Sequence, residues 1–174
     1  IGVHALDLAL WLMGNPTPVV VLGAAYAKFG HDPSRGSGGW GKPVPGGTFD
    51  VDDFACGMIR FSDGATLILE ASWASHIEKE QRFLHLLGTE AGAEITGSPQ
   101  QTRLFTERDG VLQDTTLGFR DTSQGGHMAE IAHFVECIRT GCQPASTGED
   151  GLRVMRILDA IYASAQAGKA VSLG

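Results

Sequence analysis

Residues 51–74 read VDDFACGMIRFSDGATLILEASWA. Two apolar-rich stretches flank Ser62-Asp63-Gly64, and Asp-Gly between such stretches is a strong hairpin signal, because both residues tolerate positive φ. Neighbouring positions of ATLILEASWA are apolar in turn, so neither face of this hairpin is suited to water. The chain therefore needs helices to cover one face and some further surface for the other. QRFLHLLG and AEITG continue the β region, and TRLFTER and VLQDTTL form another hairpin across Asp109-Gly110. The middle of the chain reads as a mostly antiparallel sheet.

Helices stand on both sides of it in sequence. The first is predicted from Val3 to Met13, stopped by Gly14-Asn15-Pro16. TPVVVLGAAYAKF then reads as a strand reaching Phe29. In the last third, Met128, Ile131, Val135 and Ile138 recur at helical spacing before Gly141. Thr147 and Asp150 form a capping-box pattern ahead of Val154, Ile157, Leu158, Ile161, Tyr162 and Ala165, with Gly168 beyond them. The order implies an α+β fold, a mostly antiparallel open sheet with helices on one face. The other face is left available for subunit pairing, as in a homo-oligomer. A chain of 174 residues, 43% hydrophobic, can bury one such core.

The formal net charge of −7 disfavours nucleic acid and anionic membrane surfaces, because both would repel it. No apolar run reaches the roughly 18 residues of a membrane span. The opening segment carries Asp7 and no basic region, so it does not read as a secretory signal. Three cysteines, Cys56, Cys137 and Cys142, form no disulfide framework and fit no usual metal spacing. They read as small apolar filler in a reducing, cytoplasmic setting. No metal site is expected from the scattered histidines.

Residues 30–47 form a Gly- and Pro-rich loop. GSGGWGK, from Gly36, fits the first seven positions of a phosphate-binding loop, but Pro43 replaces the Ser or Thr that would ligate Mg²⁺, and no helix can follow. Arg35 and Trp40 stay as candidate substrate contacts. No Gly-rich dinucleotide turn, nucleophile elbow or zinc helix occurs, so this chain supplies at most part of a site.

His4, Asp7 and Trp11 fall at i, i+3 and i+7 of the first helix and share one side. An imidazole beside a carboxylate suits general acid/base work near neutral pH. The plain alternative is an exposed cap residue followed by a first-turn anion that the helix dipole favours.

IGVHALDLALWLMGNP resembles the segment D-x-G-x-H-x-x-D-x-x-x-W-L-x-G of the glucose–fructose oxidoreductase/inositol dehydrogenase/MocA family. VDDFACGMIRFSDGATLILEASWA is similar to that family's strand pair, LLGTEAGAEI to its following turn and strand, and residues 133–173 to its closing helices. The resemblance implies that residues 1–174 form the substrate-binding and oligomerisation C-terminal domain of a two-domain NAD(P)-dependent oxidoreductase. The N-terminal Rossmann domain, which would hold NAD or NADP, lies outside the recorded chain. His4 matches the catalytic histidine, which exchanges a proton with a sugar or polyol hydroxyl. Asp7 matches an acidic position that contacts substrate hydroxyls in some members. The motif's first Asp and the family's E-K-P lysine fall outside the recorded residues, so the chain by itself is expected to be inert. A non-catalytic sugar-binding or scaffold domain of the same fold is the rival expectation.

Trp73 and His76 sit where a strand runs into a loop, where they would face a pocket or serve as a core Trp beside a surface His. His127, ahead of a helix, is a further candidate for a substrate hydroxyl. His85 and His133 read as satisfied core or interface groups.

Overall fold

A computed structural model describes residues 1–30, 32, 46–97, 100–118 and 126–174. They form two compact units, Ile1–Ile77 with Ser146–Gly174, and Glu78–Ala145.

The first unit holds α1 (Gly2–Leu12), β1 (Pro18–Tyr26), β2 (Phe54–Phe61) and β3 (Thr66–Ser72). The second holds β4 (Phe83–Leu87), β5 (Ala91–Thr96), β6 (Gln101–Arg108), β7 (Val111–Leu117) and α2 (Gly126–Thr140). The chain closes in the first unit with α3 (Gly148–Ala167) and β8 (Val171–Ser172). The expected antiparallel β region is thus two four-stranded sheets, ordered β3-β2-β1-β8 and β4-β5-β6-β7.

Helix α1 ends as its sequence dictates. Gly14 and Asn15 both take positive φ, and the Asn15 N–H donates to the Leu10 carbonyl at 2.7 Å. Its inner side buries Leu6, Ala9 and Leu10. Leu6 and Leu10 join Val21, Ile59, Phe61 and Leu69 of the sheet and Val154, Ile157, Ala160 and Ile161 of α3 in one core. Each fully buried Leu or Ile contributes about 2 kcal/mol through removal from water.

Helix α3 is held at both ends. Thr147 Oγ1 accepts from the Asp150 N–H at 3.2 Å, while Asp150 Oδ2 accepts from the Thr147 N–H at 3.0 Å. Gly168 closes it at φ +62°. Ser164, fully buried, fastens α3 to β1: its Oγ accepts from the Gly23 N–H at 2.9 Å and donates to the Lys169 carbonyl at 2.7 Å.

The sheet of the first unit keeps the apolar outer face expected of it. Leu22, Met58 and Ile68 are register partners across three strands, and they are 45%, 44% and 81% exposed. Strand β1 stops at Tyr26, short of the expected Phe29, because Asp53 captures the backbone beyond it. The Asp53 Oδ2 accepts from the N–H groups of Lys28 and Phe29, each at 2.5 Å, and of Gly30 at 3.3 Å.

In the second unit, His85, Glu94 and Arg103 line up as register partners. His85 lies 3.4 Å from the Glu94 carboxylate with half of its side chain exposed, so it is a surface ion-pair partner rather than a core group. The apolar stripe of α2 is exposed throughout, and Cys137 is its one buried residue. No helix among the described residues is long and apolar enough to cross a membrane.

Candidate active site on the first helix

The first turn of α1 is seated by a close approach. A Cβ built on Gly2 would lie 2.8 Å from the Ala71 Cβ of β3, so only glycine lets the helix start that near the sheet. With Leu6, Ala9 and Leu10 turned inward, the helical period turns His4, Asp7 and Trp11 outward together. All three are exposed, Trp11 to 60%. An imidazole, a carboxylate and an indole thus share one uncovered helix face, as their spacing predicts.

Beside the start of α1 lies a cleft of about 310 Å³ between Ile1–Val3, the end of β3 and α3. Leu69, Ala71 and Ile161 make its apolar floor; Asp52, Ser72, Trp73 and Tyr162 supply its polar groups. His4 stands one residue past the cleft wall and is not among its lining residues.

Trp73 lines this cleft with its indole N–H already committed, donating to the Asp52 carbonyl at 2.9 Å, and its ring against Phe49. Its polar tip serves the fold, which leaves the ring as its contribution to the cleft. His76 is exposed and meets the Phe29 ring edge-on, 5.2 Å between centroids. His127 belongs to the second unit, where it stands fully exposed 3.5 Å from the Glu130 carboxylate. Arg35, Trp40 and the glycine loop around them lie outside the described residues.

Three features have little signature in the sequence. Tyr162 Oη donates to Asp52 Oδ1 at 2.6 Å across the cleft rim, and that bond, with partial burial and the carboxylate's charge, pushes the phenol up to about 12. Asp53 is 1% exposed, and the three backbone N–H donors hold its carboxyl below the usual range although burial opposes them. The adjacent Asp52-Asp53 pair ahead of an apolar strand is the one hint of either in the sequence. The third is Gly2, whose packing role depends on β3.

Both sheets are antiparallel, and no described segment leads from a parallel strand through a Gly-rich turn into a helix. No cluster of three or more His, Cys, Asp or Glu side chains suited to a metal occurs among the described residues.

Residues 1–173 match the pattern described as "Oxidoreductase family, C-terminal alpha/beta domain". D-glucoside 3-dehydrogenase of Escherichia coli K12 is 29% identical over 99% of this chain and 47% of its own length. An oxidoreductase domain protein from Kribbella flavida has a TM-score of 0.81 at 19% identity, over all of this chain and 49% of its own. Levoglucosan dehydrogenase, solved in complex with NADH, has a TM-score of 0.78 at 22% identity, again over all of this chain and 49% of its own. At such identities the two structures speak to the fold alone, and the chain spans about half the length of the relatives it matches. The match over residues 1–173 carries the assignment: this chain belongs to the Gfo/Idh/MocA oxidoreductase family, as its C-terminal alpha/beta domain.

Proposed function

We propose that this chain is the substrate-binding part of an NAD(P)-dependent oxidoreductase acting on a hydroxyl of a sugar or polyol, with His4 as general acid/base. The observation that carries the reading is the outward face of α1, where His4, Asp7 and Trp11 stand together with none of the described residues covering them. The exposed indole of Trp11 leaves apolar surface in water, and beside a polar pair it suits the edge of a cleft completed by another domain. The name of the Escherichia coli relative, a glucoside dehydrogenase, supports a carbohydrate substrate.

In this reading the dinucleotide is held by a domain outside these residues, and it supplies hydride acceptance. His4 takes the proton from the reacting hydroxyl oxygen, or returns it in the reverse direction. Asp7, one turn along, accepts hydrogen bonds from neighbouring hydroxyls and so orients the ring. Trp73 contributes an apolar wall. The row Leu22, Met58 and Ile68 is the face through which two copies of the chain pair.

The test is turnover by a longer protein carrying this chain, with a panel of sugars and polyols and either dinucleotide. His4→Ala is expected to lower kcat by about 10²- to 10⁴-fold, the usual weight of a positioned acid/base. Turnover unchanged by His4→Ala would refute the assignment.

A further inference from the structure

Helix α2 stops at Thr140 within the stretch CIRTGC, and the two cysteines of that stretch come together in space. Gly141 takes φ +71° and donates its N–H to the Cys137 carbonyl at 2.8 Å, which turns the chain back over the last helical turn. The sulfur atoms of Cys137 and Cys142 are then 3.3 Å apart. Cys137 is 4% exposed, whereas Cys142 is open to solvent. His133, one turn back, places Nε2 3.5 Å from the Cys137 sulfur while accepting the Ala145 N–H at 2.9 Å. The turn thus sets a buried thiol against a presented one, an arrangement that the spacing alone did not imply.

We propose that Cys142 and Cys137 are a thiol–disulfide exchange pair, with Cys142 as the attacking thiol and Cys137 as the resolving one, acting on small disulfides of the glutathione type. Cys142 attacks one sulfur of the incoming disulfide, and the first small thiol leaves with the proton Cys142 gave up. Cys137 then attacks the Cys142 sulfur of the mixed disulfide, and the second small thiol leaves with the Cys137 proton. Two protein thiols are oxidised to one disulfide, and one small disulfide is reduced to two thiols.

The roles follow the surroundings. The neighbouring Thr140 and Cys137 side chains hold the Cys142 thiol below its usual range, which favours the nucleophilic thiolate. Burial pushes the Cys137 thiol up, which suits the later, resolving role. Internal disulfides in a reducing compartment are mostly transient and redox-sensing, which is the use this pair fits.

The test equilibrates the folded full chain with oxidised and reduced glutathione at a series of ratios, quenches with acid, alkylates and maps the peptides by mass. A Cys137–Cys142 cross-link is expected, with Cys56 still alkylated. Cys137→Ser is expected to stop at a glutathione adduct on Cys142, and Cys142→Ser to lose rapid reaction altogether. The wild-type map decides the matter even if a variant folds poorly. Recovery of both residues as free thiols, a stable adduct on wild-type Cys142, or a cross-link formed only in denaturant would each overturn the proposal.

Discussion

Gly23 on β1 and Gly57 on β2 are register partners, and Ile161 of α3 stands on both. A Cβ on Gly23 would meet the Ile161 Cγ2 at 2.8 Å and its Cα and carbonyl oxygen at 2.9 Å. On Gly57 it would meet the Ile161 Cγ1 at 2.9 Å. The two glycines make the notch that lets α3 approach closely enough for Ser164 to bond the Gly23 N–H. Gly23→Ala is therefore expected to destabilise the fold by about 1–3 kcal/mol, since helix backbone must move. Gly57→Ala should cost less, because its methyl meets the Ile161 side chain and none of the helix backbone. Thermal melting of the two variants checks the order, and equal melting temperatures would refute the notch.

How much of this was legible in the sequence depends on the range of the contacts involved. Helix α3 was readable because Thr147, Asp150 and Gly168 are local signals, and all three act as their positions predict. His4, Asp7 and Trp11 were placed on one side by helical period alone. The notch was not readable: glycine inside a strand reads as weakness until α3, over a hundred residues on, is known to lie on it. The end of β1 was misjudged for the same reason, since Asp53 takes backbone groups that local propensity would have left in a strand. The Asp52–Tyr162 bond joins residues 110 positions apart and has no local trace.

Acid should loosen α3 first at its cap. Bonds from Thr147 and Arg153 lower Asp150 from 3.8 to about 2. A depressed carboxyl stabilises the fold fully above its unfolded value near 3.8, and the contribution is lost as pH falls through about 2. Between those values, wild type should lose stability relative to Asp150→Asn, which has no carboxyl to protonate. Melting temperatures across the window test this; parallel curves for the two proteins would contradict it.

At the alkaline end, Tyr162 is the group to watch. Its phenol is raised to about 12 from an ordinary 10.0, chiefly by donating to Asp52. A raised phenol favours the neutral form in the fold, so its contribution is complete below 10.0 and drains away as pH climbs through about 12. Tyrosinate absorbance should show a transition near 12 that vanishes in Tyr162→Phe and moves down in Asp52→Asn. A wild-type titration with no component above the ordinary value would speak against the bond.

The outer face of the first sheet bears on assembly. Ile68 is 81% exposed on the edge strand β3, at the end of the apolar row it makes with Met58 and Leu22. Ile68→Lys should shift the chain toward monomer in sedimentation at concentrations where the wild type pairs, and should remove any dependence of its melting temperature on concentration. A wild-type chain that stays monomeric at high concentration removes the pairing proposed for this face.

Gly2 ties the fold to the proposed chemistry. A methyl group there would sit 2.8 Å from the Ala71 methyl carbon, and neither group can rotate aside. The first turn of α1 must lift from β3, carrying His4 with it. Helix ends open at little cost, so Gly2→Ala should change stability only slightly. Proton transfer tolerates displacement far less, and a shift of about 1 Å can cost about 10²-fold in turnover. The variant is thus expected to lose kcat in a longer protein carrying this chain while melting nearly as wild type. Ala71→Gly, added to Gly2→Ala, reopens the space and should restore turnover. Loss without restoration would point to damage elsewhere, and full activity in Gly2→Ala alone would separate the seating of the helix from the work of His4.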